Sequence, residues 1–308
     1  MSNTAVTDRP RQVAGARRGR GQRPAGYVWI IPAMIVSVGL IYYSIGYTGY
    51  ISTLDWDGLS PDPTHVGADN FARVFQDPVF WLAILHTIVF FVITFTLQTA
   101  LGFVVAVLLH TKVRLSGLYR VIIFLPVIIA PAISAPVFRQ IFAADGQLNW
   151  ILEHVGLGFL AQPWLAQSET ALPVIIVITL WHWTGLTFIL YYSALGQIEP
   201  EVLEAARLDG AGSIRTTVSI IWPNVRGTTT VLATLSAINA LKTFDVPYLV
   251  TRGGPNFATE FLGTLIYRET IPLAEVGYGA ALSIMLLILA LGMAIPFSLT
   301  GNRRERVR

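Results

Sequence analysis

No cysteine occurs in this chain. That excludes disulfides, thiolate metal sites and cysteine nucleophiles in one step. Charge is nearly as scarce: Asp, Glu, Lys and Arg make up 13% of the 308 residues, where soluble domains carry about a quarter, and 54% are hydrophobic. A chain so poor in charge requires lipid around it. Lysine is almost missing too, since only Lys112 and Lys242 accompany 19 arginines. Neither follows a glycine, so neither can be the lysine of a phosphate-cradling P-loop, and any ATP chemistry has to come from another chain. The five histidines, at 65, 86, 110, 154 and 182, show no H-E-x-x-H or other ligand spacing, so no metal site is expected. Asp145, Glu153 and Glu169 fall in one polar connection, where solvated carboxylates are commonplace. They are a poor glycosidase pair, and no catalytic residue is assigned.

What is present is apolar and comes in blocks. The blocks Tyr27–Tyr50, Phe80–Leu109, Leu118–Phe142, Ala171–Leu195, Thr228–Val250 and Val276–Thr300 each have the length to cross a hydrocarbon core of about 30 Å. They predict an all-α, polytopic membrane protein with six transmembrane helices. The first block is longer than the h-region of a signal peptide and lacks a small-residue cleavage site, so it reads as a retained span. Pro126, Pro131 and Pro136 in the third predict a kinked or broken helix, tolerated where protein or water satisfies the freed carbonyls.

The net charge of +3 has to be located before it is interpreted. Arg9, Arg11, Arg17, Arg18, Arg20 and Arg23 lie in residues 1–26, a basic arm too polar to fold. Lys112, Arg114, Arg120, Arg207, Arg215 and Arg226 lie in the second and fourth connections, and Arg303, Arg304, Arg306 and Arg308 in a basic tail, 303–308. Arg73, Arg139, Arg252 and Arg268 are left for the other side. This alternation predicts helix flanks of a six-helix domain over 27–302 with both termini cytoplasmic, and gives no single basic face for nucleic acid. The outward connections, roughly 51–79, 143–170 and 251–275, read as rims, with Trp150 and Trp164 as interfacial belt residues or partner contacts.

The cytoplasmic connection 196–227 differs, because it has a helix pattern of its own. Pro200 suits a first helical position, Glu201 and Glu204 bring negative charge to the first turns, and Gly210 supplies a left-handed stop. A second short helix is expected after Ser213 as N-cap, running through Ile214, Val218 and Ile221 until Pro223. Val202, Leu203 and Leu208 beside the two glutamates would give this knob an apolar anchor with a polar rim.

Glu204-Ala205-Ala206, Gly210, Ile220 and Pro223 resemble, in spacing, the EAA loop of binding-protein-dependent ABC importer permeases, with Trp222 standing where that pattern usually has Leu. Asp69-Asn70-Phe71, Phe124-Leu125-Pro126, Asp145-Gly146-Gln147-Leu148-Asn149, Ala206-Arg207-Leu208-Asp209-Gly210-Ala211 and Leu249-Val250-Thr251-Arg252-Gly253-Gly254-Pro255 look like its carbohydrate branch, similar to the larger, sugar-contacting permease of maltose-type importers. The resemblance implies a type I importer permease in the bacterial cytoplasmic membrane. It implies a second homologous permease, two copies of a cytoplasmic ATPase that uses ATP and Mg, and an external solute-binding protein or lipoprotein that delivers a sugar. It assigns ATPase coupling to Glu201, Glu204, Ala205, Ala206, Arg207, Asp209 and Gly210. Glu204 could instead pair with Arg207 one turn on, a contact worth about 0.2–0.5 kcal/mol. An ion-coupled secondary carrier is the rival from another class, but it leaves the glycine-linked pair unexplained.

A transported sugar needs hydroxyl partners and an aromatic surface. The fourth and fifth spans supply His182, Trp183, Thr184 and Thr187, then Asn239, Lys242, Thr243 and Asp245. A charge at a span centre costs about 2.5–3.5 kcal/mol on insertion scales, so Lys242 and Asp245 are expected to face a cavity or each other. Their spacing of three predicts one helical face, and a bracing Lys242–Asp245 pair is the alternative to a ligand role. Trp183 could instead pack between helices. In the family that the chain resembles, the sugar-binding groups lie in these two spans.

Overall fold

The structure is a computed structural model that describes residues 30–111 and 114–305, with side chains to residue 293. The expected basic arm, Lys112 and Arg306 to Arg308 lie outside the described residues. The chain divides into two units at Tyr47 and Thr48. The first unit ends within helix α1, Ile31–Ile51, which has no acidic residue in its first turn and no basic residue in its last.

Among the described residues the second unit is mainly helical, with one two-residue ladder, β1 (Leu54–Asp55) with β2 (Thr64–His65), antiparallel with Leu54 opposite His65. Helix α2, Asp69–Gln76, follows, and its buried Asn70 donates from Nδ2 to the carbonyls of Ser52 (3.0 Å) and Leu54 (2.8 Å). Asp77 caps the next helix by accepting from the Val79 amide at 2.8 Å, and Pro78 begins it, a position where proline lacks nothing the helix needs. That helix, α3, runs Pro78–His110.

The proline-rich third block is broken, as its sequence predicts. It forms α4 (Ser116–Ile128) and α5 (Pro131–Ile141), bent by 94°. Pro131 starts α5 at the break. The three connections expected to face outward carry helices of their own: α2, then α6 (Gln147–His154), and later α12 (Leu262–Thr270). Helix α7 runs Ser168–Leu195 and packs along α3. The last helix, α13, runs Val276–Glu305, past the expected end of the domain at 302.

Among the described residues, four helices are long and apolar enough to cross a membrane: α1, α3, α7 and α13 over Val276–Met293. Counted as one broken span, the bent α4–α5 pair makes a fifth. The single helix expected over Thr228–Val250 is corrected: it is not continuous. There the chain forms α10 (Trp222–Leu241), leaves helix at Lys242, Thr243 and Phe244, and resumes as α11 (Asp245–Thr251). Three consecutive threonines, Thr228 to Thr230, with Thr234, Ser236 and Asn239, dilute the apolar content of α10 below that of the other spans.

Buried side chains fall in three clusters along the bundle. One includes Phe80, Leu262, Leu265 and Leu282, a second Phe90, Ile175, Ile178 and Phe261, and a third Phe188, Tyr191, Leu195 and Val225. Between the second and third, α3 and α7 approach closely at Gly102. A Cβ there would lie 2.7 Å from Thr187 Cγ2 and 3.0 Å from the Phe188 amide nitrogen, so any larger residue would force the helices apart.

Candidate functional site

The knob at 196–227 is built locally. Helix α8, Pro200–Leu208, begins on Pro200 with Glu201 in its first turn. It ends as its sequence predicts: Gly210 has φ +75°, its amide donates to the Arg207 carbonyl (3.1 Å), and the Ala211 amide donates to the Ala206 carbonyl (2.9 Å). This pair of bonds is a Schellman motif, which closes the orphan carbonyls through a left-handed residue.

The second short helix departs from expectation. Ser213 is not its cap: Gly212 holds that position, and α9, Ser213–Thr216, begins on Ser213. Nor does Pro223 stop it. A π-turn over Thr217–Ile221 joins α9 directly to α10, with Pro223 in the first turn of the α segment. The wider π-turn accommodates a ring that would otherwise press on the carbonyl four residues back. Helix therefore continues unbroken from Ser213 to Leu241.

The α8 knob buries little. Ala206 is buried and Leu203 packs beside the third cluster, whereas Glu201, Glu204, Ala205, Arg207, Asp209 and Gly210 are exposed. Glu204 and Arg207 form no ion pair among the described residues, where the bridges are Arg73–Glu275, Arg268–Glu260 and Arg268–Glu269. Leu208 is 89% exposed and Ile214 82%, with Val202 and Val218 also in the open. This is an apolar surface beside charged residues, left bare by the described residues.

At the far end of the Ser213–Leu241 helix lies a cavity of about 260 Å³. The chain break at Lys242–Phe244 forms one wall, α7 a second and α3 a third. Of the residues nominated from sequence, Trp183, Thr187, Asn239, Lys242, Thr243 and Asp245 line it. His182 and Thr184 stand outside the lining. His182 is buried beside Trp183, with ring centroids 5.2 Å apart, and the Thr184 hydroxyl donates to the Leu180 carbonyl at 2.5 Å.

Lys242 and Asp245 do not share a helical face, because Lys242 caps α10 and Asp245 opens α11 on the other side of the break. Both are exposed to the cavity, and no ion pair joins them among the described residues. The break also releases backbone groups, partly answered by Lys242 N–H to Ile238 O (3.1 Å) and Thr243 N–H to Ala240 O (3.3 Å).

The lining hydroxyls divide into two sets. Thr94 donates to Phe90 O (2.6 Å), Thr179 to Ile175 O (2.8 Å) and Thr243 to Asn239 O (2.9 Å), each to the carbonyl four residues back. The side chains of Thr187, Ser236, Asn239 and Lys242 have no partner among the described residues. These are the groups left to meet a ligand.

Sequence reasoning missed the α3 wall, made by Phe90, Thr94 and Gln98. A signal was present: Thr87, Thr94 and Gln98 recur with Phe90 and Gly102 on the helical period, and every one of them is buried. Beyond α11 the chain is anchored by a buried carboxylate. Glu260 is 2% exposed, burial pushes its carboxyl above the usual range, and Arg268 reaches its Oε2 at 3.1 Å. His86 Nδ1 donates to the Glu260 carbonyl at 3.0 Å, tying this segment to α3.

Residues 98–302 match the family described as binding-protein-dependent transport system inner membrane component. The chain is 31% identical over 272 residues to the probable ABC transporter permease protein YurN of Bacillus subtilis, covering 87% of this chain and 93% of that one. It is 32% identical over 278 residues to the xylose/arabinose import permease protein XacH of Haloferax volcanii, covering 89% and 86%. Its fold matches, with a TM-score of 0.78 and 22% identity over 91% of this chain and 94% of the other, a chain of a bacterial alginate ABC transporter solved in complex with an alginate pentasaccharide-bound periplasmic protein.

Proposed function

From the premise that this chain belongs to the family of binding-protein-dependent transport system inner membrane components, we propose that its cavity is the passage for a carbohydrate. The chain is a membrane permease subunit of an ABC importer, a transport component and not an enzyme. The observation that carries the carbohydrate reading is the cavity lining. Hydroxyl, amide, ammonium and carboxylate groups stand unpaired around 260 Å³ of space beside the Trp183 indole, within helices otherwise apolar. Polyhydroxylated rings need such mixed donors and acceptors with an aromatic surface, and the permease name of XacH, xylose/arabinose import, is consistent with this chemistry.

The coupling route follows from the unbroken helix. It starts two residues after the Gly210 turn and ends at the break that walls the cavity, roughly 40 Å away at 1.5 Å per residue. A rigid body that seats α8 and pulls on it moves the Lys242–Phe244 wall directly. We assign that body to a cytoplasmic ATPase, present as two copies and carrying the ATP and Mg chemistry. Leu208, Ile214 and Val202 form the apolar anchor in its groove, and Glu201, Glu204, Arg207 and Asp209 the rim. A second homologous permease completes the passage. The outward connections receive the binding protein, and both termini lie on the ATPase side.

Reconstitution tests the reading. The chain, its partner permease, the ATPase and the binding protein in vesicles are expected to take up sugar only with ATP inside, and binding protein with sugar is expected to raise ATP hydrolysis. Uptake by this chain alone on a proton or sodium gradient would overturn it.

A further inference from the structure

The α3 wall of the cavity carries a polar group whose orientation is set by its neighbour. Gln98 is 7% exposed and lines the cavity, and its Nε2 donates to the Thr179 carbonyl at 3.4 Å. Only the NH2 end of an amide can donate to a carbonyl, so this contact assigns the side chain. Oε1 is then the end without a partner among the described residues. It is an acceptor and cannot be anything else.

The wall around it is rigid. Gly102, one turn along α3, fixes the separation from α7 at Thr187, and Thr179 belongs to the same stretch of α7. The Thr94 hydroxyl, one turn back, is engaged by Phe90 and cannot turn to satisfy Gln98. Oε1 is open to the cavity, where a ligand hydroxyl can donate to it in place of water.

We propose that Gln98 is a specificity-determining residue, its Oε1 accepting a hydrogen bond from one hydroxyl of the transported carbohydrate. The inference rests on the cavity being the passage. It sharpens the substrate class at that point: an ionised carboxylate, sulfonate or phosphate has no proton to offer and is disfavoured against Gln98, so the group reaching α3 is a neutral hydroxyl. A site built to receive a hydroxyl rejects the analogue lacking it more strongly than an apolar pocket rejects an extra one.

The test uses the assembled transporter in vesicles with its own binding protein, and xylose, arabinose, maltose and lactose as probes. The probe taken up fastest is then compared with each of its singly deoxygenated analogues at saturating concentration. One analogue is expected to move about 3–10-fold more slowly than its parent, the worth of a neutral hydrogen bond. In Gln98→Met, which keeps the length and removes the amide, the parent sugar slows by that factor and the same analogue is no longer distinguished. Gln98→Leu, which also removes the amide, should lose the discrimination in the same way. The binding protein is unchanged throughout, so altered discrimination belongs to the permease. Discrimination that survives in Gln98→Met with ATPase association intact overturns the assignment of Gln98 alone. If Gln98→Met fails to assemble, discrimination that survives in Gln98→Leu overturns it equally. Failure of every sugar to cross rejects the carbohydrate reading on which it rests.

Discussion

The proposed coupling knob and the cavity stand at opposite ends of the Ser213–Leu241 helix, yet they are built by opposite means. The knob is local: Pro200, Glu201 and Gly210 act within a dozen residues, and its outer face is left bare, with Leu208 89% exposed. The cavity is assembled from segments far apart in sequence, and its polar groups are sorted by which hydroxyls already bond their own helix. In the proposed function, the exposed local motif transmits force by its shape, and the composite cavity selects a ligand by the hydrogen bonds it has left over.

Breaking the knob should have the largest effect. Gly210→Val places a β-branched residue at φ +75°, where even an ordinary side chain costs about 1–2 kcal/mol, and should tear open the Schellman closure. Uptake is expected to fall at least tenfold while membrane insertion and the helical circular dichroism signal persist. Wild-type uptake would remove Gly210 from the coupling path.

A surface change of the knob should come next. Leu208→Asp alters a side chain that touches almost nothing in this chain, so thermal stability should move by no more than about 0.5 kcal/mol. Retention of the ATPase through detergent purification should nevertheless drop severalfold, with Glu204→Lys acting in the same direction. If Leu208→Asp instead lowers stability and leaves retention unchanged, its exposed surface is covered by something other than the ATPase.

The difference between the two regions also explains what the sequence disclosed. The α8 turn was legible because capping and left-handed glycine are properties of neighbouring residues. The break in the third block was legible because Pro131 disfavours the α conformation in the residue before it. The end of α10 at Leu241 was not, because no proline or glycine marks Lys242–Phe244 and the residues there are compatible with helix. That omission placed Lys242 and Asp245 on one helical face when they stand on either side of a gap. The continuous π-joined helix was hidden for the reverse reason, since Pro223 is a local stop signal that the wider turn accommodates. The α3 wall required knowing which helix faces the break, a tertiary fact outside any single window.

Within the cavity, Lys242→Ala and Asn239→Ala remove unpaired donors at the break and should each reduce substrate-stimulated uptake about 3–10-fold, leaving basal ATP hydrolysis and assembly intact. Unchanged uptake in both would move the passage to the partner permease.

The smallest effect isolates the sorting of hydroxyls itself. Thr184 and Thr187 lie on α7 three residues apart, and both were nominated from sequence for the same reason. Their hydroxyls differ. Thr184 donates to the Leu180 carbonyl and stands outside the cavity lining, whereas Thr187 lines it with its hydroxyl unpaired. Valine keeps the shape of threonine and deletes only the hydroxyl. At Thr184 the deletion frees a helix carbonyl whose intrahelical bond remains, so uptake should change less than about twofold. At Thr187 it removes a group available to the ligand, and uptake should fall about 3–10-fold, the worth of one neutral hydrogen bond. Thr187 also touches Gly102, but valine preserves that contact through its remaining methyl groups, so assembly should be equal in the two variants. Equal uptake in Thr184→Val and Thr187→Val would mean that free hydroxyls in the lining do not select the ligand, and that the comparison between a shape-reading knob and a bond-reading cavity fails at the cavity.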